Sequence, residues 1–268
     1  MSSTVSLARK QQIGAKIGEV LRAHFQASFP GTDLGYLQGV IAGLVYMESS
    51  FNSKAFVSSG SMDRSFTKST AFSLVVNSGD PVKYANAVRA ATGVYGLMQV
   101  RGSYLVRGGS TSGVGEIERI RPDLALTLCV APGDSVEDKL LGDSNIENAL
   151  LAGITILEGK YKAVPSIMKR DPSGGYVYSK AGLRFPSRIA AAVGSYLGLQ
   201  GADRFGTSAV SYATSIVGGE SFRIANSYFP GSKYPTVLAD ADTRSAQDKK
   251  AGPGTSSSVS DRTLPPGC

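Results

Sequence analysis

The stretch that decides the fold opens with Tyr46-Met47-Glu48-Ser49-Ser50-Phe51 and closes with Gly93-Val94-Tyr95-Gly96-Leu97-Met98-Gln99-Val100. Upstream of Glu48 the apolar residues fall at Leu34, Leu37, Ile41 and Leu44, and Phe51 extends the series beyond it. Steps of three and four predict a helix with one apolar stripe, and Glu48 stands in phase with it, one turn after Leu44. A lone carboxylate drawn toward a core is costly unless it is paired or protonated, and burial raises its pKa. A carboxyl group that keeps its proton near neutral pH is what a general acid requires. The same spacing also fits a stripe that has run out at a helix end, leaving Glu48 in water.

Outward from this stretch, residues 5–29 read as an amphipathic helix with Ile13, Ile17, Val20, Leu21 and Phe25 in one stripe, a packing or docking element over 1–30. Pro30-Gly31 breaks it, and Thr32 or Asp33 is placed to cap the helix that leads to Glu48. Between the two halves of the deciding stretch lie an apolar run at 71–76, a turn at 77–81 and a helical segment at 82–91. Residues 101–115 are rich in Gly and Ser, carry Arg101, Tyr104 and Arg107, and read as a loop. They make a poor phosphate cradle, because no Gly-Lys-Ser/Thr follows.

Ser144-Asn145-Ile146-Glu147 reads as a capping box that opens a helix burying Ile146, Leu150, Ile154, Leu157 and Tyr161. Residues 171–182 read as a turn-rich connector. Pro186-Ser187 starts another helix, with Ile189, Val193, Tyr196 and Leu197 on its apolar face. Helices are expected at 206–217 and 221–229, split by Gly218-Gly219. From Lys233 onward the composition turns to Ser, Gly, Pro and mixed charge, so 231–268 reads as a flexible tail.

Hydrophobic residues make up 42% of the chain and charged ones 18%, the balance of an ordinary globular protein. The net charge of +7 suggests an anionic partner, whether cell-wall polymer, nucleic acid or membrane surface. No recognised nucleic-acid motif accompanies that charge. Cys129 and Cys268 do not make a disulfide framework, and a single histidine, His24, leaves no zinc spacing, so no metal or other cofactor is expected. A nucleophilic triad would have to use His24, which lies in the N-terminal helix with no motif around it. Trp is absent, so sugar stacking would fall to Tyr or Phe. No continuous apolar signal region and no run of about 18 apolar residues is present, so neither a secretory signal nor a transmembrane helix is expected.

Glu48-Ser49-Ser50-Phe51-Asn52, followed by Gly93 through Val100, resembles the signature of soluble lytic transglycosylases, lysozyme-like enzymes that cut the glycan strands of peptidoglycan. Asn145-Ile146, Gly153 and Ile156-Leu157 resemble that family's Asn-Ile…Gly…Tyr-Leu helix. Ala191-Ala192-Val193-Gly194-Ser195-Tyr196-Leu197-Gly198 resembles its Ala-Tyr-Asn-Ala-Gly, with Leu197 where the family has asparagine. The resemblance implies a mainly α, lysozyme-like fold of the goose-type or lytic transglycosylase kind over 31–230. The family closes the gap between its Glu and Gly-Leu-Met-Gln with a short loop, whereas Gly96 here lies 48 residues after Glu48. A small irregular or β insertion at about 61–91, read as a lip over the groove, is therefore expected.

By the same resemblance Glu48 is the catalytic residue, Ser49 and Tyr196 support it, and Met98, Gln99 and Tyr95 bind the sugar. Tyr196 would place its hydroxyl on Glu48. Ser49 has a second reading as a hydroxyl bonded to its own helix backbone. Most glycosidases need two carboxyl groups, and this family works with one. Glu48 would protonate the oxygen between N-acetylmuramic acid and N-acetylglucosamine, then take the C6 hydroxyl proton as a 1,6-anhydro ring closes. A wall enzyme without an export signal is expected to travel in a phage virion beside other virion proteins and to act in the host periplasm during genome entry. Two alternatives stand beside this. One is a goose-type muramidase in which Asp63 or Asp80 positions water; the other is a virion structural or ejection protein that keeps the fold for assembly.

Overall fold

Ser6 accepts the Arg9 amide at 3.3 Å and starts α1 (Leu7–His24), which buries Ile13, Ile17, Val20 and Leu21 as its spacing predicts. Asp33 accepts the Tyr36 amide at 2.9 Å and starts α2 (Leu34–Ser49). Residues 39–45 of α2 are buried without a break, so this helix is apolar on every side and lies at the centre of the fold. Phe51, expected in its stripe, lies past the helix end. Glycines let the neighbours close in: a Cβ on Gly39 would stand 2.6 Å from the Phe222 ring. The computed structural model describes residues 5–58, 60–199 and 208–229, all within the first of two compact units, Met1–Ser232.

After α2 the chain forms β1 (Phe56–Ser58), then α3 (Arg64–Thr67), α4 (Thr70–Asn77) and α5 (Pro81–Thr92), and returns as β2 (Gly93–Tyr95) and β3 (Val100–Arg101). The three strands form an antiparallel sheet in the order β1-β2-β3, with Phe56 opposite Tyr95 and Tyr95 opposite Val100. The insertion is thus an excursion between two paired strands, and it is helical, not irregular or β. Its caps explain this. Ser69 accepts the Phe72 amide, and Asp80 accepts the Val82 and Lys83 amides with Pro81 in the first turn of α5. The apolar run at 71–76 is the body of α4. The Asp63 amide donates to the Ala91 carbonyl at 2.8 Å and joins the two ends of the excursion.

A buried 3-10 turn, Gly102–Leu105, stands where the sequence predicts the start of a loop. Beyond it the Gly108 and Gly115 amides both donate to Oε2 of Glu118, at 2.9 and 2.7 Å. Short helices α6 (Glu116–Ile120), α7 (Ala125–Leu128) and α8 (Glu137–Leu140) lead to α9 (Ile146–Ile167). The expected capping box does not form. Ser144 lies in a 3-10 turn, Asp143–Asn145, and the Glu147 carboxylate pairs with Lys16 at 3.7 Å. In place of the turn-rich connector there is a second antiparallel sheet: β4 (Lys169–Arg170), β5 (Tyr176–Tyr178) and β6 (Leu183–Phe185).

The chain continues as α10 (Arg188–Leu197), α11 (Ala209–Val217) and α12 (Glu220–Ser227). α2 packs on α1, α11 and α12, while α9 packs on α1, α6 and α10, and α10 lies on α11. The N-terminal helix is therefore part of the same core and not a separate segment. No helix among the described residues is long and apolar enough to cross a membrane. The tail expected over 231–268, and the first residues of the helix expected over 206–217, lie outside the described residues.

Candidate active site

The last turn of α2 leaves the core by degrees. Val45 is buried, Tyr46 and Glu48 are half-buried, and Met47 is exposed. Glu48 is met there by α11, where the Tyr212 hydroxyl donates to its Oε1. Tyr212 itself is buried, so its polar end needs a partner and the carboxylate supplies one.

The resemblance puts Tyr196 in that role, and the structure places it elsewhere. The Tyr196 hydroxyl donates to the Met98 carbonyl at 2.8 Å. Its pKa is held well above the ordinary phenol value, first by burial and then by the nearby Glu48 carboxylate and Tyr104. It therefore stays a neutral donor at physiological pH, beside Glu48 but bonded to the turn opposite. Ser49 acts on the same turn. Its hydroxyl lies 3.0 Å from the Val45 carbonyl, the backbone reading, and 2.8 Å from the Leu97 carbonyl across the site. Two consecutive carbonyls, Leu97 and Met98, are thus bonded by side chains from two helices.

That turn is the four-residue loop 96–99 between β2 and β3. Gly96 has φ +72°, and a Cβ there would stand 2.9 Å from the Leu140 carbonyl, so only glycine fits. Gln99 sits at φ +48°, half-buried, and its side-chain amide donates inward to the Gly96 carbonyl at 2.9 Å and the Ala55 carbonyl at 3.2 Å. Met98 is fully buried and presses on α9, where a Cβ on Gly153 would run into it. Tyr95 is 1% exposed, donates to the Arg89 carbonyl at 2.7 Å and packs in a tilted arrangement on Phe56. Met98 and Tyr95 are packing residues that shape the turn, not the groove lining the resemblance implies. Gln99 braces the backbone, and Leu197 ends α10 half-buried.

Three non-glycine residues among those described have positive φ: Ser50 at 50°, Phe51 at 65° and Gln99 at 48°. Ser50 and Phe51 follow Glu48 in the chain, and Gln99 closes the turn whose Leu97 carbonyl Ser49 bonds. Such conformations cost about 1–3 kcal/mol each and persist only where packing over-determines them. Phe51 shows how. It is 1% exposed, with edge-to-face contacts to Tyr228 at 5.9 Å and Phe229 at 6.2 Å. Asp63 and Asp80, the acids a water-activating reading would draw on, are both occupied as helix caps; Asp63 also accepts the Ser103 hydroxyl at 2.8 Å.

Tyr212 escapes the sequence reading because no family motif surrounds it. The signal that points to it is its place among Ala209, Ala213 and Ile216, a buried stripe at helical spacing that carries one hydroxyl. The arrangement presents one half-buried carboxylate with a phenol donor, on a helix end, opposite a rigid hairpin turn. Such a group is fitted to give and take a proton. No protein-family model, curated protein or solved structure matches this chain.

Proposed function

We propose that this chain is a peptidoglycan lytic transglycosylase that cleaves the bond between N-acetylmuramic acid and N-acetylglucosamine, with Glu48 as its single acid and base. The observation that carries the reading is the held state of Glu48, a carboxylate at the end of the central helix, bonded by Tyr212 and followed in the chain by two of the three described non-glycine residues of positive φ. Glu48 in its protonated form gives a proton to the glycosidic oxygen. The substrate's acetamido group stabilises the charge that develops at C1. The carboxylate then takes the proton from the C6 hydroxyl as that oxygen attacks C1, and a 1,6-anhydro sugar leaves with no water added. Tyr212 keeps a donor on the carboxylate in both states, and Tyr196 and Ser49 fix the turn across from it.

A goose-type hydrolase is disfavoured by the capping roles of Asp63 and Asp80. A structural or ejection role in a virion has one observation on its side. Leu74 and Val82 of the insertion are 61% and 68% exposed, as packing against another particle protein would require. Transport in a phage particle, with action in the host periplasm during genome entry, fits either reading. Mass spectrometry of the soluble products released from purified peptidoglycan separates them. Anhydromuropeptides from the wild type and none from a folded Glu48→Gln variant are expected. Reducing-end products would make the protein a hydrolase, and clearing by Glu48→Gln would remove Glu48 from its role.

A further inference from the structure

Positive charge is not spread evenly along this chain. Between Lys160 and Arg188 lie seven of its 28 basic residues (Lys160, Lys162, Lys169, Arg170, Lys180, Arg184 and Arg188) and one of its 21 acidic residues, Asp171. Six of the seven excess positive charges therefore fall in one segment, the second sheet and the helix ends that flank it.

Three of these cations have protein partners. Lys162 pairs with the buried Glu158 at 2.6 Å, Arg184 with Asp171 at 3.2 Å, and Arg188 stacks over the Tyr161 ring at 4.2 Å and bonds the Tyr161 carbonyl. Lys169, Arg170 and Lys180 are exposed and make no ion pair among the described residues. The register sets Lys169 beside Val177 and Val177 beside Arg184 on one face, and Lys180 lies in the turn that joins β5 to β6. Lysines on an edge strand discourage unwanted pairing. That accounts for β4 and for Arg184 on β6, the other edge of the sheet, and leaves Lys180 unexplained.

The sheet adjoins the candidate site. β6 packs on α10 and α11, the helices that carry Tyr196 and Tyr212, and the Phe185 ring occupies the space that a Cβ on Gly194 would need, two residues before Tyr196. Short acidic peptides hang from the muramic acid residues of a peptidoglycan strand. A five-residue stem fully extended reaches about 17 Å, enough to leave a groove and lie across an adjoining face.

We propose that the exposed face of β4–β6 docks the acidic stem peptides of the glycan strand, Lys169, Lys180 and Arg184 receiving their carboxylates. The inference rests on the peptidoglycan reading above. The substrate is then peptide-bearing glycan in preference to bare glycan, and the docking is sensitive to salt, as contacts between exposed charges are.

The test is binding to sacculi covalently fixed to a sensor surface through their glycan, before and after an amidase strips the peptides, using Glu48→Gln protein so that binding is read without cleavage. Intact sacculi should bind about tenfold more tightly than stripped ones, and adding Lys169→Glu, Lys180→Glu and Arg184→Glu should erase that difference. In the active background the triple variant should cut stripped strands at the wild-type rate. A Gln version of the triple substitution serves if the Glu version does not fold. Equal wild-type binding to both sacculi, or a triple variant that keeps the preference, overturns the docking surface. Loss of duplex DNA binding in the triple variant with sacculus binding unchanged overturns it in favour of a nucleic-acid surface. Preserved docking with no cleavage by the wild type would instead count against the transglycosylase reading alone.

Discussion

On the proposed reading Glu48 gives up a proton and later retrieves one, and such a carboxylate needs neighbours that stay in place while its charge changes. Around Glu48 that task is divided among hydroxyls. Tyr212 bonds the carboxylate itself, whereas Tyr196 and Ser49 bond the facing backbone at Met98 and Leu97. The division predicts different consequences. Tyr212→Phe removes a hydrogen bond to a charged group, worth about 1.5–3 kcal/mol, and should lower kcat roughly 10- to 100-fold with little change in KM. Steady-state kinetics on solubilised peptidoglycan checks this, and an unchanged kcat would reduce Tyr212 to a packing residue. Glu48 is legible in the sequence as a candidate, because it stands in phase with an apolar helix and at the head of a motif. Its hydrogen-bond partner is not, because a separation of 164 positions carries no local signal of contact.

At the scale of elements, the end of α2 is stopped by Ser50, which stands in the left-handed region at φ 50° with its amide on the Tyr46 carbonyl. Glycine takes that conformation without the Cβ clash that costs other residues roughly 1–2 kcal/mol. Ser50 is exposed and its side chain bonds nothing described, so Ser50→Gly should stabilise the fold by about 1 kcal/mol, a rise in Tm of roughly 2–4 °C by calorimetry. A fall in Tm would mean that the serine itself holds the turn. Helices α1, α2, α5, α9, α10 and α12 follow from periodicity, caps and breakers that act within a few residues. The two sheets escape because strands of two or three residues carry no alternation to read. The capping box at Ser144 has the right residues and loses to tertiary contacts: Glu147 reaches Lys16, and the Asn145 amide bonds the Leu141 carbonyl at 2.7 Å. Met98 and Tyr95 illustrate the same limit. Their motif marks the turn correctly but does not say which side chains face inward, which depends on Gly153 and Phe56 arriving from elsewhere.

Over the whole molecule, two buried groups set a boundary in alkali. Burial, aided by the Glu137 carboxylate, pushes the Tyr95 phenol up to about 12, and burial with the Glu118 carboxylate pushes the Cys129 thiol up to about 12. Each folded pKa lies above its unfolded value. Their neutral forms therefore favour the native state fully below about pH 9, and that contribution disappears as pH rises toward 12. Urea midpoints measured at pH 8, 10 and 11 should fall in that order, and Cys129→Ala should flatten the part of the fall that begins lowest. The same fold spans long distances in sequence at its most sensitive point. Glu48 waits for Tyr212, and Phe51 waits for Tyr228 and Phe229 at the end of the described core. At about 5–20 residues per second the two sides of the site leave a ribosome roughly 8–30 s apart. For that interval the proposed acid stands without its donor, and the emergence of α11 and the aromatic pair after α12 is the step that would arm it.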